Sequence, residues 1–216
     1  MKIEQIELYI SNYDKTVWFY KNVLEFNCHS ESKNTIHFKV GKSILTLHRN
    51  EKESYYYHFA FNIPPNLFQS AKEWMRKRVS LAIDEGLDQA DFEDSNANAF
   101  YFEDPAGNIV EYIARRNTTP NAGTEQFAPI YVRGISEIGI STNNIKEIVD
   151  GICSLGISSR KNEPIYYETY LNFLGEDKDG QYIIVGPLGR RWIFSNKVGI
   201  HAPVIIKTDC GTIRNF

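Results

Sequence analysis

Phe100-Tyr101-Phe102-Glu103-Asp104-Pro105-Ala106-Gly107-Asn108-Ile109-Val110-Glu111 reads as two strands joined by a tight turn. Aromatic and β-branched residues flank Asp-Pro-Ala-Gly, in which proline presets one backbone angle and glycine accepts a positive φ. The predicted strands are Ala97–Glu103 and Asn108–Ala114. Upstream, Tyr55–Asn62 alternates, with Tyr57, Phe59 and Phe61 on one face and Tyr56, His58 and Ala60 on the other. Pro64 and Pro65 then open a helix whose apolar stripe is Leu67, Phe68, Ala71, Trp74 and Met75. The order is strand, helix, strands.

The same order occurs on both sides of this unit. Before it, Lys2–Ile10 alternates, with Ile6, Leu8 and Ile10 opposite Gln5, Glu7 and Tyr9. Asn12 then precedes a helix, and strands follow near Phe26–His29, Thr35–Val40 and Ser43–His48. After it, the polar stretch Asn117–Glu125 reads as linker. Beyond the linker, Arg133–Ser141 is a strand and Ile145, Ile148, Val149, Ile152 and Leu155 form a helical stripe closed by Gly156. Further strands are expected near Thr169–Leu174, Gln181–Val185, Arg191–Phe194 and Pro203–Lys207. The opening strands overlay as Ile3-Glu4-Gln5-Ile6-Glu7-Leu8, Tyr57-His58-Phe59-Ala60-Phe61 and Ser136-Glu137-Ile138-Gly139-Ile140. One supersecondary unit is therefore repeated, and each copy must pair to bury its open sheet face.

Composition bounds the rest. The chain has 216 residues, 42% hydrophobic and 24% charged, which suits a folded globular protein. A net charge of −3 lacks the basic excess of a nucleic-acid binder. No apolar run is long enough to cross a bilayer, and the first residues do not read as a signal peptide. Three widely spaced cysteines, Cys28, Cys153 and Cys210, read as reduced thiols, so a cytoplasmic protein is expected. Neither a phosphate-binding loop nor a dinucleotide fingerprint is present.

Phe100–Glu111 resembles the "F-x-D-P-x-G-N-x-x-E" hairpin of the glyoxalase / bleomycin-resistance / extradiol-dioxygenase superfamily, the vicinal oxygen chelate fold. Ile6–Asn12, continuing to Phe19-Tyr20 and Val23-Leu24, is similar to that family's opening strand and helix. The resemblance implies an α+β fold of three βαβββ-type modules. Modules one (1–52) and two (53–116) would pair into a curved-sheet cup, residues 117–131 would link, and module three (132–216) would follow C-terminally.

It also implies one divalent metal ion in the cup. The first-strand positions carry Gln5 and His58, and the last-strand position of module two carries Glu111. Thr46 stands where many members have Glu. Imidazole, carboxylate and amide oxygen could bind Mn, Fe, Ni, Co or Zn. Against this stands a metal-free pair in which His58 and Glu111 bond each other, and Gln5 as a plain sheet residue. Glu111, with Glu7 and Tyr9 on the face of Gln5, is the expected catalytic set; Glu7 and Tyr9 could contact substrate, act as acid and base, or merely satisfy one another. His48 is read as an edge residue, and His29 and His37 as residues without catalytic work. Glu137 takes the first-strand position of module three, with no partner seen for a second metal. Arg190, Arg191 and Trp192 either hold an anion over the cup or form a plain hairpin.

The implied function is a metal-dependent lyase, isomerase or ring-cleaving dioxygenase acting on a small organic molecule. The alternative is a metal-free sequestering protein of the bleomycin-resistance kind. An unpaired third module suggests a homodimer.

Overall fold

A computed structural model describes residues 1–216. The first module comprises β1 (Ile3–Ile10), α1 (Tyr13–Asn22), β2 (Asn27–Glu31), β3 (Thr35–Val40) and β4 (Ser43–Arg49). The second comprises β5 (His58–Asn62), α2 (Phe68–Arg76), β6 (Ala90–Phe92), β7 (Ala97–Glu103) and β8 (Ile109–Arg115). The segment expected to be a linker packs on the core through Phe127, and after it come β9 (Gly134–Thr142), α3 (Ile145–Ser154), β10 (Asn172–Leu174) and β11 (Tyr182–Pro187), then β12 (Val204–Thr208) and β13 (Gly211–Arg214). The α+β class, the repeated unit and the curved sheets agree with expectation.

In every repeat the first strand lies parallel to a later one: β1 with β4, β5 with β8 and β9 with β11. A helical crossover makes that parallel pairing feasible. Alternation then sorts the faces. Phe59 and Phe61 of β5 and Val110 and Tyr112 of β8 enter a core of 45 buried residues that also takes in both sheets and all three helices. His58 and Glu111 fall on the opposite face, as their strand positions require.

The pairing of modules differs from expectation. One sheet has the order β13-β12-β1-β4-β3-β2 and the other β10-β11-β9-β5-β8-β7-β6. Modules one and two do not share a cup. The free edge of β5 is taken by antiparallel β9, with Ala60 opposite Glu137. The free edge of β1 is taken by β12, with Glu7 opposite Ile205. Each open edge must find a strand, and the C-terminal third supplies both. Module three is thus paired within the chain, which removes the reason given for a dimer.

Between β11 and β12 the chain crosses from one sheet to the other. No strand forms at Arg191–Phe194, only a single bridge between Arg191 and Val198. This strap lays Trp192 and Phe194 over the face of the seven-stranded sheet that carries His58 and Glu111. Two short strands were not foreseen, β6 and β13, each beyond a turn with weak alternation.

Candidate metal centre

His58 on β5, Glu111 on β8 and Glu137 on β9 are all buried, and their donor atoms lie within 4.8 Å of one another. Strand adjacency brings them together, since β8, β5 and β9 are consecutive in the sheet. The Asp-Pro-Ala-Gly-Asn turn sets the register. Asn108 Oδ1 accepts from the backbone N–H of Tyr57, the residue before His58, at 2.9 Å.

His58 Nε2 is 3.5 Å from Glu111 Oε2 and 3.8 Å from Glu137 Oε2. On its other side, His58 Nδ1 lies 3.2 Å from the carbonyl of Ile109. A carbonyl only accepts, so Nδ1–H donates to it and Nε2 is the ring nitrogen turned toward the carboxylates. Arg115, on β8, donates to Glu137 and to Ser136 Oγ. Glu111 Oε1 is buried with no hydrogen-bond partner.

The electrostatics follow from that arrangement. Burial, reinforced by Glu137, raises the Glu111 carboxyl well above the usual range, against the pull of Arg115 and Tyr101. Burial also acts upward on Glu137, but Arg115 and His58 overcome it and hold that carboxyl below its ordinary value. Tyr101 faces Glu111 across β7 and β8, and burial plus the two carboxylates raise its phenol well above its usual range. Arg115 thus acts on both buried carboxyl groups.

These residues fit a divalent cation. Donors on a tetrahedral ion with bonds of about 2.0–2.2 Å sit roughly 3.3–3.6 Å apart, close to the separations here. The orphaned Glu111 oxygen and the imidazole nitrogen turned toward the carboxylates point the same way.

An open cavity of ≈ 110 Å³ leads to the cluster. Phe92 of β6 and Phe173 of β10 come from opposite edges of the sheet, so the sheet curls to bring its edges to one cavity. Trp192 of the strap covers it, its ring 4.8 Å from the His58 ring. Arg115 and Arg160 contribute to the wall.

The other expected site residues are elsewhere. Gln5, Glu7 and Tyr9 lie on β1, in the six-stranded sheet, and do not join His58 and Glu111. Gln5 Nε2 donates to Thr46 Oγ1 at 2.8 Å. Glu7 is paired with His48 at 2.8 Å and with Lys207 at 2.8 Å, and Tyr9 stacks on His48 at 4.9 Å. His37 joins this network through Thr46. The place expected for Gln5 is filled by Glu137. Its signal was in the sequence, at the same position of the third opening strand. What was missing was the knowledge that β9, not β1, borders β5. Trp192 reaches the cup, while Arg191 points away to Asp84 at 2.6 Å.

Comparison with known proteins bears on the fold and the family. The family model for toxoflavin-degrading enzyme matches residues 135–190. Metallothiol transferase FosB of Staphylococcus haemolyticus is 30% identical over 115 residues, 50% of this chain and 80% of that protein. FosB of Staphylococcus saprophyticus is also 30% identical over 115 residues, covering 74% of its length. Among solved structures, a putative dioxygenase from Bacillus subtilis superposes with a TM-score of 0.63 at 16% identity, over 88% of this chain and 65% of that one. The superposition shows a shared fold, and the identity across most of FosB shows kinship: the chain belongs to the glyoxalase / bleomycin-resistance / dioxygenase superfamily that includes the FosB proteins.

Proposed function

We propose that this protein is a divalent-metal-dependent enzyme acting on a small organic molecule, with His58, Glu111 and Glu137 holding the ion. The observation that carries the reading is the buried cluster itself, in which Glu111 Oε1 has no partner and His58 presents Nε2. Bound there, a divalent ion supplies Lewis acidity toward an oxygen of the bound molecule. The chain's own groups do the rest. The Ile109 carbonyl orients the His58 ring, and Arg115 orients Glu137. Tyr101 lies opposite Glu111 in the pairing of β7 and β8. Trp192 and Phe194 exclude water from above.

The names of the related proteins, a metallothiol transferase, a putative dioxygenase and a toxoflavin-degrading enzyme, support a small-molecule substrate. Lyase, isomerase, transferase and ring-cleaving dioxygenase chemistry are therefore the classes to assay, since one scaffold hosts all of them. A second reading, a metal-free sequestering protein, draws on the Trp192 ring packed against His58 and on the neutralisation of Glu137 by Arg115.

The test is elemental analysis of the purified protein, joined to thermal shifts with Mn, Fe, Ni, Co and Zn salts. About one ion per chain, with a rise in melting temperature for at least one of them, is expected because binding to the folded state alone stabilises it. No ion and no shift would discard the metal-dependent enzyme in favour of the sequestering protein.

A further inference from the structure

Arg160 is the cavity-lining cation that the metal cluster does not use. It sits in the loop between α3 and β10, half-buried, with its guanidinium 4.3 Å from the centroid of the Phe173 ring. Glu163 occupies one edge, accepting from Nε at 3.0 Å and from Nη2 at 3.1 Å. The Nη1 donors have no partner within the chain. Around it the walls are aromatic: Phe173 from one sheet edge, Phe92 from the other and Trp192 from the strap.

Each feature selects for something. A cavity of ≈ 110 Å³ admits a ring-sized molecule. Aromatic walls favour a flat π-face over a compact aliphatic one. A guanidinium held over a ring, with donors to spare, recognises a planar oxyanion through charge-assisted hydrogen bonds. We propose that Arg160 is the specificity-determining residue of the cup, and that the cup takes a planar aromatic anion whose negative group meets Arg160. This rests on reading the cup as a small-molecule site and does not require the ion, so the two can fail separately.

The experiment measures binding to the purified protein by quenching of tryptophan fluorescence, with Trp192→Phe assigning the signal to the cup. The probes are 2-hydroxybenzoate, its neutral amide and the aliphatic anion pyruvate. Metal content is determined on the same samples. The wild type is expected to prefer 2-hydroxybenzoate to the amide and to pyruvate by about tenfold or more, the worth of one charge-assisted contact. Arg160→Gln is expected to abolish the preference over the amide without changing affinity for the amide or the metal content. Arg160→Lys should restore part of it. No binding of 2-hydroxybenzoate, equal binding of acid and amide, equal binding of pyruvate, or an unchanged preference in Arg160→Gln would overturn the proposal. Preference lost in Arg160→Gln from a protein without metal would uphold it while removing the metal reading.

Discussion

Asp104 accepts hydrogen bonds from Tyr20, from the Asn108 side chain and from the backbone N–H groups of Ala106 and Asn108, at 2.8–3.0 Å. Burial raises its carboxyl above the ordinary value in spite of those donors. The turn was legible as a turn, because proline and glycine announce one locally. Its reach was not: Tyr20 lies 84 residues away, and the Asn108 contact to Tyr57 is what aligns β5 beside β8. Asp104→Ala would strand several buried donors at once. The expected loss is on the order of 3 kcal/mol of stability, read by denaturant titration. A variant as stable as the wild type would mean that the turn is not the clamp described here. Gln5 teaches the converse. Its strand face was read correctly, yet a face says nothing about which sheet the residue belongs to.

The strap is the element least visible in the sequence. Arg191–Phe194 has the aromatic and branched residues of a strand, but its job is to cross between sheets. Phe194 adopts a positive φ of 53°, stacks on Tyr101 at 4.8 Å and is anchored through its N–H to Asp84. Asp84 also binds Arg191, and these two contacts, Arg191 first, hold its carboxyl below the ordinary value. An acid depressed in the folded state gives its stabilisation above its unfolded pKa of about 3.9 and loses it as pH falls through the lower folded value. The strap is therefore expected to loosen below roughly pH 4. Acrylamide quenching of Trp192 should rise there in the wild type, and should already be raised at neutral pH in Asp84→Ala. Quenching in Asp84→Ala equal to that of the wild type would show that Asp84 does not pin the strap. At the opposite end, Lys197 holds the strap to Glu103 and to the Gly107 carbonyl.

At the scale of the molecule, the two sheets share one core and are also tied to each other by hydrogen bonds at Ser43. Ser43, at the start of β4, donates to the Ile3 carbonyl at 2.7 Å and accepts from the Ile135 N–H at 3.0 Å, tying β1 to β9. Gly41 lies against the Arg133 backbone so closely that a Cβ would meet its carbonyl at 2.3 Å, at a φ of +53°. Ser43→Ala should cost about 1–3 kcal/mol by leaving both backbone groups unpaired. For a chain of this size the melting temperature would fall by roughly 2–4 °C for each kcal/mol. No change in melting temperature would place the joint elsewhere.

This larger scale is also where the sequence stopped being informative. The order strand, helix, strands could be read three times over, since alternation and helical stripes are local signals. Which repeat pairs with which depends on the edges of β1, β5 and β9. All three are opening strands of the same repeat, and nothing local says which edge each one takes. The ligand set inherits that ambiguity. His58 and Glu111 belong to one repeat and could be paired from its pattern, whereas the third donor depends on which first strand lies next to β5.

The central claim is that the ion is held between modules two and three. The most direct measurement compares bound metal per chain, by elemental analysis after dialysis, in wild type, Glu137→Gln and Gln5→Ala. The expected result is metal in the wild type and in Gln5→Ala, and its loss in Glu137→Gln with the melting curve of the metal-free protein preserved. Metal retained by Glu137→Gln, or lost from Gln5→Ala, would contradict the account.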